Sequence, residues 1–180
     1  MPQRAVWSSD RDFESPIGFL GDCHRRMEHF VDALLHITHS RAGQSLSSDE
    51  WAEIAEAVHY FETDEPWHTA DEMQSLFPRL RETEAARAQA LVVQLEHDQE
   101  MANAHHRMIG VFCRRWLGHG YLSTVDTRNL TDRLEGLQAI YRRHIAIEAR
   151  ELFPLAVHLL SSRQMDEIGR EMAARRSASH

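Results

Sequence analysis

Residues 68–78 read HTADEMQSLFP and residues 144–154 read HIAIEARELFP. Both follow the pattern His-x-x-x-Glu-x-x-x-Leu-Phe-Pro. An α-helix brings residues i and i+4 to one face, one turn apart, so His68 with Glu72, and His144 with Glu148, each aim at a single spot. Another histidine stands upstream of each copy, His24 before the first and His97 before the second. The chain therefore reads as two helical hairpins. Each offers one histidine from its first helix and a His–Glu pair from its second.

Working outward, the flanking sequence is helical almost throughout. Gly and Pro are sparse (8 and 5 residues), and long stretches are rich in Ala, Leu, Glu, Arg and Met, all good helix formers. A first helix is expected from Ser15-Pro16, with Ser as N-cap and Pro at the first helical position, to about residues 41–43. A second starts at Ser47 with Glu50 completing a capping box. It is interrupted around residues 63–66 by Pro66 and continues to about Pro78. A third runs from about Thr83 to Leu117 and stops at Gly118-His119-Gly120. A fourth runs from about Ser123, with Asp126 in its first turn, to about Pro154. A short tail over about 161–176 has Ser161 and Gln164 as its cap and Met165, Ile168 and Met172 as its apolar side. The predicted fold is all-α, an up-down-up-down four-helix bundle of about 15–160 plus that tail, in one domain spanning 1–180.

The periodicity also says which way the histidines point. His24 lies in the stripe Leu20, Met27, Val31. His68 follows Phe61 and precedes Leu76. His144 lies among Leu137, Ile140, Leu152 and Leu155, and His97 among Val93, Met101, Ala104 and Met108. All four are therefore expected in the core. Ionisable groups in an apolar interior are costly unless paired or coordinated. A lone core histidine is usually just hydrogen-bonded, and a lone His-x-x-x-Glu pair usually lies on a solvated face. The duplicated motif, in matching places on a bundle, favours metal ligation. Imidazole with carboxylate suits iron, zinc, copper or manganese. Two carboxylates from opposite helices can bridge two ions, with positions left open for a small ligand.

Composition narrows the alternatives. A length of 180 residues buries a sizeable core without a staple, so a metal here serves function rather than folding. The net charge of −8 argues against a nucleic-acid partner or an anionic membrane surface. No stretch is apolar enough to span a bilayer, and the first sixteen residues lack the apolar core of a leader peptide. Cys23 and Cys113, far apart and without a C-x-x-C, suggest a reducing compartment and a cytoplasmic location. The thirteen histidines are the compositional anomaly that metal ligation would explain.

These residues resemble the hemerythrin-like family, also called the HHE cation-binding domain, over about residues 15–175. The likeness includes the opening PIGFLGDCHRRMEHF and both LFP closings. It implies a non-haem centre of two irons, bridged by carboxylates and an oxo or hydroxo group. His24, His68, His97 and His144 match the histidine ligands, and Glu72 and Glu148 the bridging carboxylates. The chain looks like the bacterial four-His, two-Glu branch. Met101 stands where the oxygen carriers have a second histidine on the third helix, and Glu148 stands four residues after its histidine rather than an Asp five after. Reversible oxygen carriage is thereby disfavoured. The iron–sulfur repair members usually carry an extra Cys-bearing domain for which this chain has no room. A ferritin-like set of Glu-x-x-His pairs fails, because Tyr141 stands where His144 would need its glutamate.

The resemblance leaves three functions open. One is binding or sensing of oxygen, nitric oxide or peroxide. Another is an enzyme turning over peroxide or donating iron for repair. The last is iron storage or a structural bundle. Among neighbouring residues, Glu28 is expected to face inward as an extra ligand or imidazole partner, against an edge carboxylate as the plainer reading. Tyr141 could bond a small ligand or simply pack. Met27 and Met101 are expected to line the pocket, the remaining histidines, His106 among them, are expected at the surface or an edge with His105, eight residues past His97, the one to check, and Asp71 and Glu151 are expected to be exposed.

Overall fold

The computed structural model describes residues 12–177. Residues 1–11, on which the leader-peptide expectation falls, and residues 178–180, including His180, lie outside the described residues. The described chain is all-α. A 3-10 turn, Asp12–Glu14, leads into α1, Pro16–Ser40. Helix α2 is Ser48–Asp71, prolonged by a π-helical segment Glu72–Leu76 and a last turn Phe77–Arg81. Helix α3 is Ala86–His119. Helix α4 is Thr124–Ile147, prolonged in the same way by Glu148–Leu152 and Phe153–Leu159. Helix α5 is Ser162–Ser177.

The ends follow from local chemistry. Ser47 and Glu50 form the expected capping box, Ser123 accepts from the Asp126 amide, and Ser161 with Gln164 caps α5. Gly120, at φ +64, closes α3 in a left-handed conformation that a side chain would resist. Ser15 precedes Pro16 as expected but makes no side-chain cap. Pro66 does not interrupt α2, which runs through it.

The two π segments explain the Leu-Phe-Pro closings. A proline lacks the N–H that the carbonyl four residues back would accept, and its ring crowds that carbonyl. The helix widens instead, and Phe77 N–H bonds the Glu72 carbonyl while Phe153 N–H bonds that of Glu148. Each motif glutamate thus opens a π-turn, a distortion that recurs at functional sites.

Helices α1–α4 pack in a ring, α1 against α2 and α4, and α3 against α2 and α4. The α1–α2 and α3–α4 connections meet at one end, where Leu46 N–H donates to the Gly120 carbonyl. Helix α5 lies across α1 and the end of α2. The apolar core is divided. One cluster includes Met27, Phe30, Leu34, Tyr60, Trp116, Leu134 and Tyr141. The other includes Leu20, Leu76, Phe77, Leu95, Leu152, Phe153 and Met172. Five of the six predicted ligand positions lie where the two meet: His24, for example, falls between Leu20 of one and Met27 of the other. Among the described residues, no helix is long and apolar enough to cross a membrane.

Candidate metal centre

Five of the six residues singled out by the repeat come together. His24 is 3% exposed, His68 1%, Glu72 1%, His144 3% and Glu148 0%. His68 Nε2 lies 2.9 Å from Glu72 Oε1, one turn along α2. His144 Nε2 lies 3.4 Å from Glu148 Oε2, one turn along α4. Across the bundle, His24 Nε2 is 2.9 Å from Glu148 Oε2 and 3.7 Å from Glu72 Oε1, and His144 Nε2 is 3.8 Å from Glu72 Oε2. His24, His68 and Glu72 form one triplet with donor atoms within 4.8 Å of one another, and Glu72, His144 and Glu148 form a second. Glu72 belongs to both.

Three of these separations are of hydrogen-bond length, but the directions are wrong. Nε2 of His24, both ring nitrogens of His68, Oε1 of Glu72 and both oxygens of Glu148 are buried and make no hydrogen bond. Buried polar atoms are nearly always satisfied, so a cluster of lone-pair donors aimed at shared space fits a cation among them.

The electrostatics agree. Burial alone would depress the His24 imidazole, but Glu148 and Glu72 outweigh it and raise its pKa. Burial likewise works against His68, and Glu72 overcomes it and holds the pKa well above the ordinary value. For His144, Glu148 and Glu72 overcome burial and push the pKa up to about 10. Burial would raise Glu72, but His68, then His144 and His24, hold its carboxyl well below the usual range. The carboxylates demand positive charge, which protons or a metal can supply.

His97 is not part of this cluster. Its side chain is 69% exposed and lies 4.0 Å from Glu100 on the outer face of α3. Inward positions of α3 here are Leu95, Asp98, Gln99 and Ala102. The stripe Val93, Met101, Met108 in which His97 stands is exposed with it. The expected fourth histidine is therefore absent, and α3 contributes no histidine to either triplet. Met101, expected as a pocket liner, is 46% exposed, and Glu28 also faces outward. Met27 is buried as expected.

A buried polar network missed in the sequence adjoins the centre. Gln99 Nε2 donates to Glu65 Oε1 at 3.2 Å and to Thr69 Oγ1 at 2.6 Å, and Thr69 Oγ1 donates to Glu65 at 2.9 Å. His106 Nδ1 is 3.6 Å from Glu65 Oε2, and His106 Nε2 meets the Tyr141 hydroxyl at 2.5 Å. Burial raises the Tyr141 phenol well above its usual pKa and lowers that of His106, so the phenol is the donor and the neutral imidazole the acceptor. His106 also lines a surface cavity of about 240 Å³ with Phe61, Ile109 and Cys113. His105 turns away and bonds the Arg133 carbonyl at 2.9 Å.

Other side chains fix the ligand-bearing turns. Phe153, of the second LFP, stacks on His24 at 5.7 Å and 4°. Asp71, beside Glu72, is fully buried rather than exposed. Arg175 and Arg176 of α5 grip its carboxylate, each at 2.8 Å. Arg143, beside His144, pairs with buried Asp98. No sequence period links residues 71 and 176, and only the docking of α5 brings them together.

Comparison with known proteins fits this geometry. The family model of the hemerythrin HHE cation-binding domain matches residues 15–156. A curated protein of Haemophilus influenzae, described as an uncharacterized protein, is 25% identical over 174 residues, covering 97% of this chain and 94% of that protein. The family match contains all five convergent side chains and ends before α5.

Proposed function

This chain belongs to the hemerythrin HHE cation-binding family, and on that premise we propose that it is a non-haem di-iron protein that binds or senses a small oxidant: oxygen, nitric oxide or peroxide. The observation that carries the reading is the convergence of five buried donor residues, four of which, His24, His68, Glu72 and Glu148, carry buried polar atoms that make no hydrogen bond. His24, His68 and Glu72 would hold one ion; His144 and Glu148, with Glu72 shared, would hold the other. The same reading takes the ring of four helices as up-down-up-down, supported by its short connections. The mixed imidazole and carboxylate set suits iron. Iron bound there would supply a reversible one-electron couple and coordination positions open to a small ligand.

The chain's own residues do the rest. Leu20, Leu76, Leu95 and Leu152, all 0% exposed, shut water out on one side, and Met27 and Tyr141 on the other. Tyr141 shares a proton with His106, and His106 lines the cavity through which a diatomic or peroxide could approach. With no histidine from α3, each triplet offers three donor residues, two imidazoles and a carboxylate around His24 and one imidazole and two carboxylates around His144, which would leave positions open on both ions.

A second reading, a peroxide-consuming enzyme, is favoured by that buried Tyr141–His106 pair, since turnover needs protons and simple binding does not. The free, buried Cys23 and Cys113 support a cytoplasmic setting. Stopped-flow spectra of the reduced, iron-loaded protein separate the readings. A stable new band with oxygen or nitric oxide supports binding. Sustained loss of peroxide, slowed in Tyr141→Phe, supports turnover. No response to any of the three would contradict both and leave storage.

A further inference from the structure

Helix α3 has two apolar faces, and the bundle uses only one. Leu91, Leu95, Ala102, Ile109 and Trp116 are buried against the other helices. A second stripe, Val93, His97, Met101, Ala104, Met108 and Val111, faces out. Val93 is 63% exposed, Met101 46%, Met108 39% and Val111 43%, half of the exposed large apolar side chains among the described residues. From His97 onward the steps alternate four and three, the spacing of a two-helix seam. The stripe runs roughly 27 Å at 1.5 Å per residue. Isolated exposed apolar residues need no explanation, whereas a continuous row marks a contact surface.

Charge beside the stripe indicates what covers it. Glu100 stands in its first half and Arg107 in its second, while the other charges nearby already pair within the chain, Glu96 with Arg81 and, beyond Val111, Arg114 with Glu62 and Arg115 with Asp126. Among the described residues Arg107 makes no ion pair, and Glu100 reaches only His97, at 4.0 Å. A stripe flanked by a glutamate in one half and an arginine in the other is complementary to its own reversed copy. A two-fold axis between Asn103 and Ala104 would set Glu100 across from the partner's Arg107, and by symmetry the pairing occurs twice. Ala104, small and central, lets two helices approach closely. A parallel copy would set like charges together, and a partner of uniform charge would match only half the row.

We propose that the outer face of α3 is a homodimer interface in which two copies of this chain pair α3 antiparallel through Val93–Val111. The interface is independent of the metal reading, and every residue in it lies away from the buried donors.

Sedimentation velocity on the full chain tests it, with circular dichroism confirming helix content in each variant. The wild-type protein should sediment as a dimer. Met101→Glu should raise the dissociation constant at least roughly a hundredfold by burying a charge in the seam. Glu100→Arg and Arg107→Glu should each raise it roughly tenfold, through two like-charge contacts. Mixing those two single variants should restore a dimer, because the swapped charges then face opposite ones. A wild-type monomer at the highest soluble concentration would overturn the proposal and leave the face to another protein. A dimer indifferent to Met101→Glu, or a mixture no tighter than its components, would overturn it equally.

Discussion

Carboxylates buried as deeply as Glu72 and Glu148 have to be answered by positive charge, and His24, His68 and His144 are the cationic groups that the structure places against them. In chelator-treated protein those charges are protons. His144 has a folded pKa near 10 against an unfolded value near 6.5. Its contribution is therefore complete below about pH 6.5 and lost as pH climbs towards 10. Glu72 is depressed, so its share is present above about pH 4.5 and lost as pH falls below that. Thermal melts of chelated protein should accordingly show Tm falling between pH 7 and 10, and metal-loaded protein should lack that fall because the cation replaces the protons. Identical pH profiles would count against ligation by these residues. His97→Ala should keep its full metal content and His144→Ala should lose much of it, as read by elemental analysis. Glu72 and Glu148 were legible because a repeated i, i+4 pair on an apolar stripe has few cheaper explanations. His97 was misread because α3 has two apolar stripes, offset by two residues or about 200° of turn. Periodicity finds a stripe but does not say which one the bundle buries.

Helix α5 stands outside the ring and beyond the family match, yet it controls the turn that presents Glu72. Arg176 stretches over Phe19 at 4.7 Å, Phe13 at 5.2 Å and Trp67 at 5.6 Å and, with Arg175, neutralises Asp71. Arg175 also donates to Ser75 at 2.6 Å, inside the same π-turn. Removing both arginines leaves a buried carboxylate unpaired, which costs about 3–5 kcal/mol. Arg175→Ala with Arg176→Ala should lower Tm by several degrees and speed metal loss to a chelator. Arg163→Ala, which breaks the exposed pair with Glu167 on the same helix, should do neither. Equal effects from the two would show that α5 matters only as bulk. Helix positions and caps were readable from sequence because Ser47, Ser123 and Gly120 act locally. The π-turns were not, because they arise from how a proline is accommodated, and a helical period describes only the regular helix on either side.

Across the molecule, a polar layer divides two apolar clusters, so the donors are sealed above and below by side chains that cannot satisfy them. A cation bound only by the folded state must stabilise it by mass action. Tm should therefore rise with added ferrous iron in the wild type and stay flat in Glu72→Ala. The division was partly visible in the sequence, since each histidine of the hairpins interrupts an apolar stripe. The Gln99–Glu65–His106–Tyr141 network was hidden, because its members come from three helices and share no period. Elemental analysis of protein purified from iron-replete growth is the most direct test of the centre. The wild type should carry about two irons per chain, falling well below that in His68→Ala and Glu72→Ala. A wild type without stoichiometric metal, or variants that keep the wild-type content, would contradict the assignment.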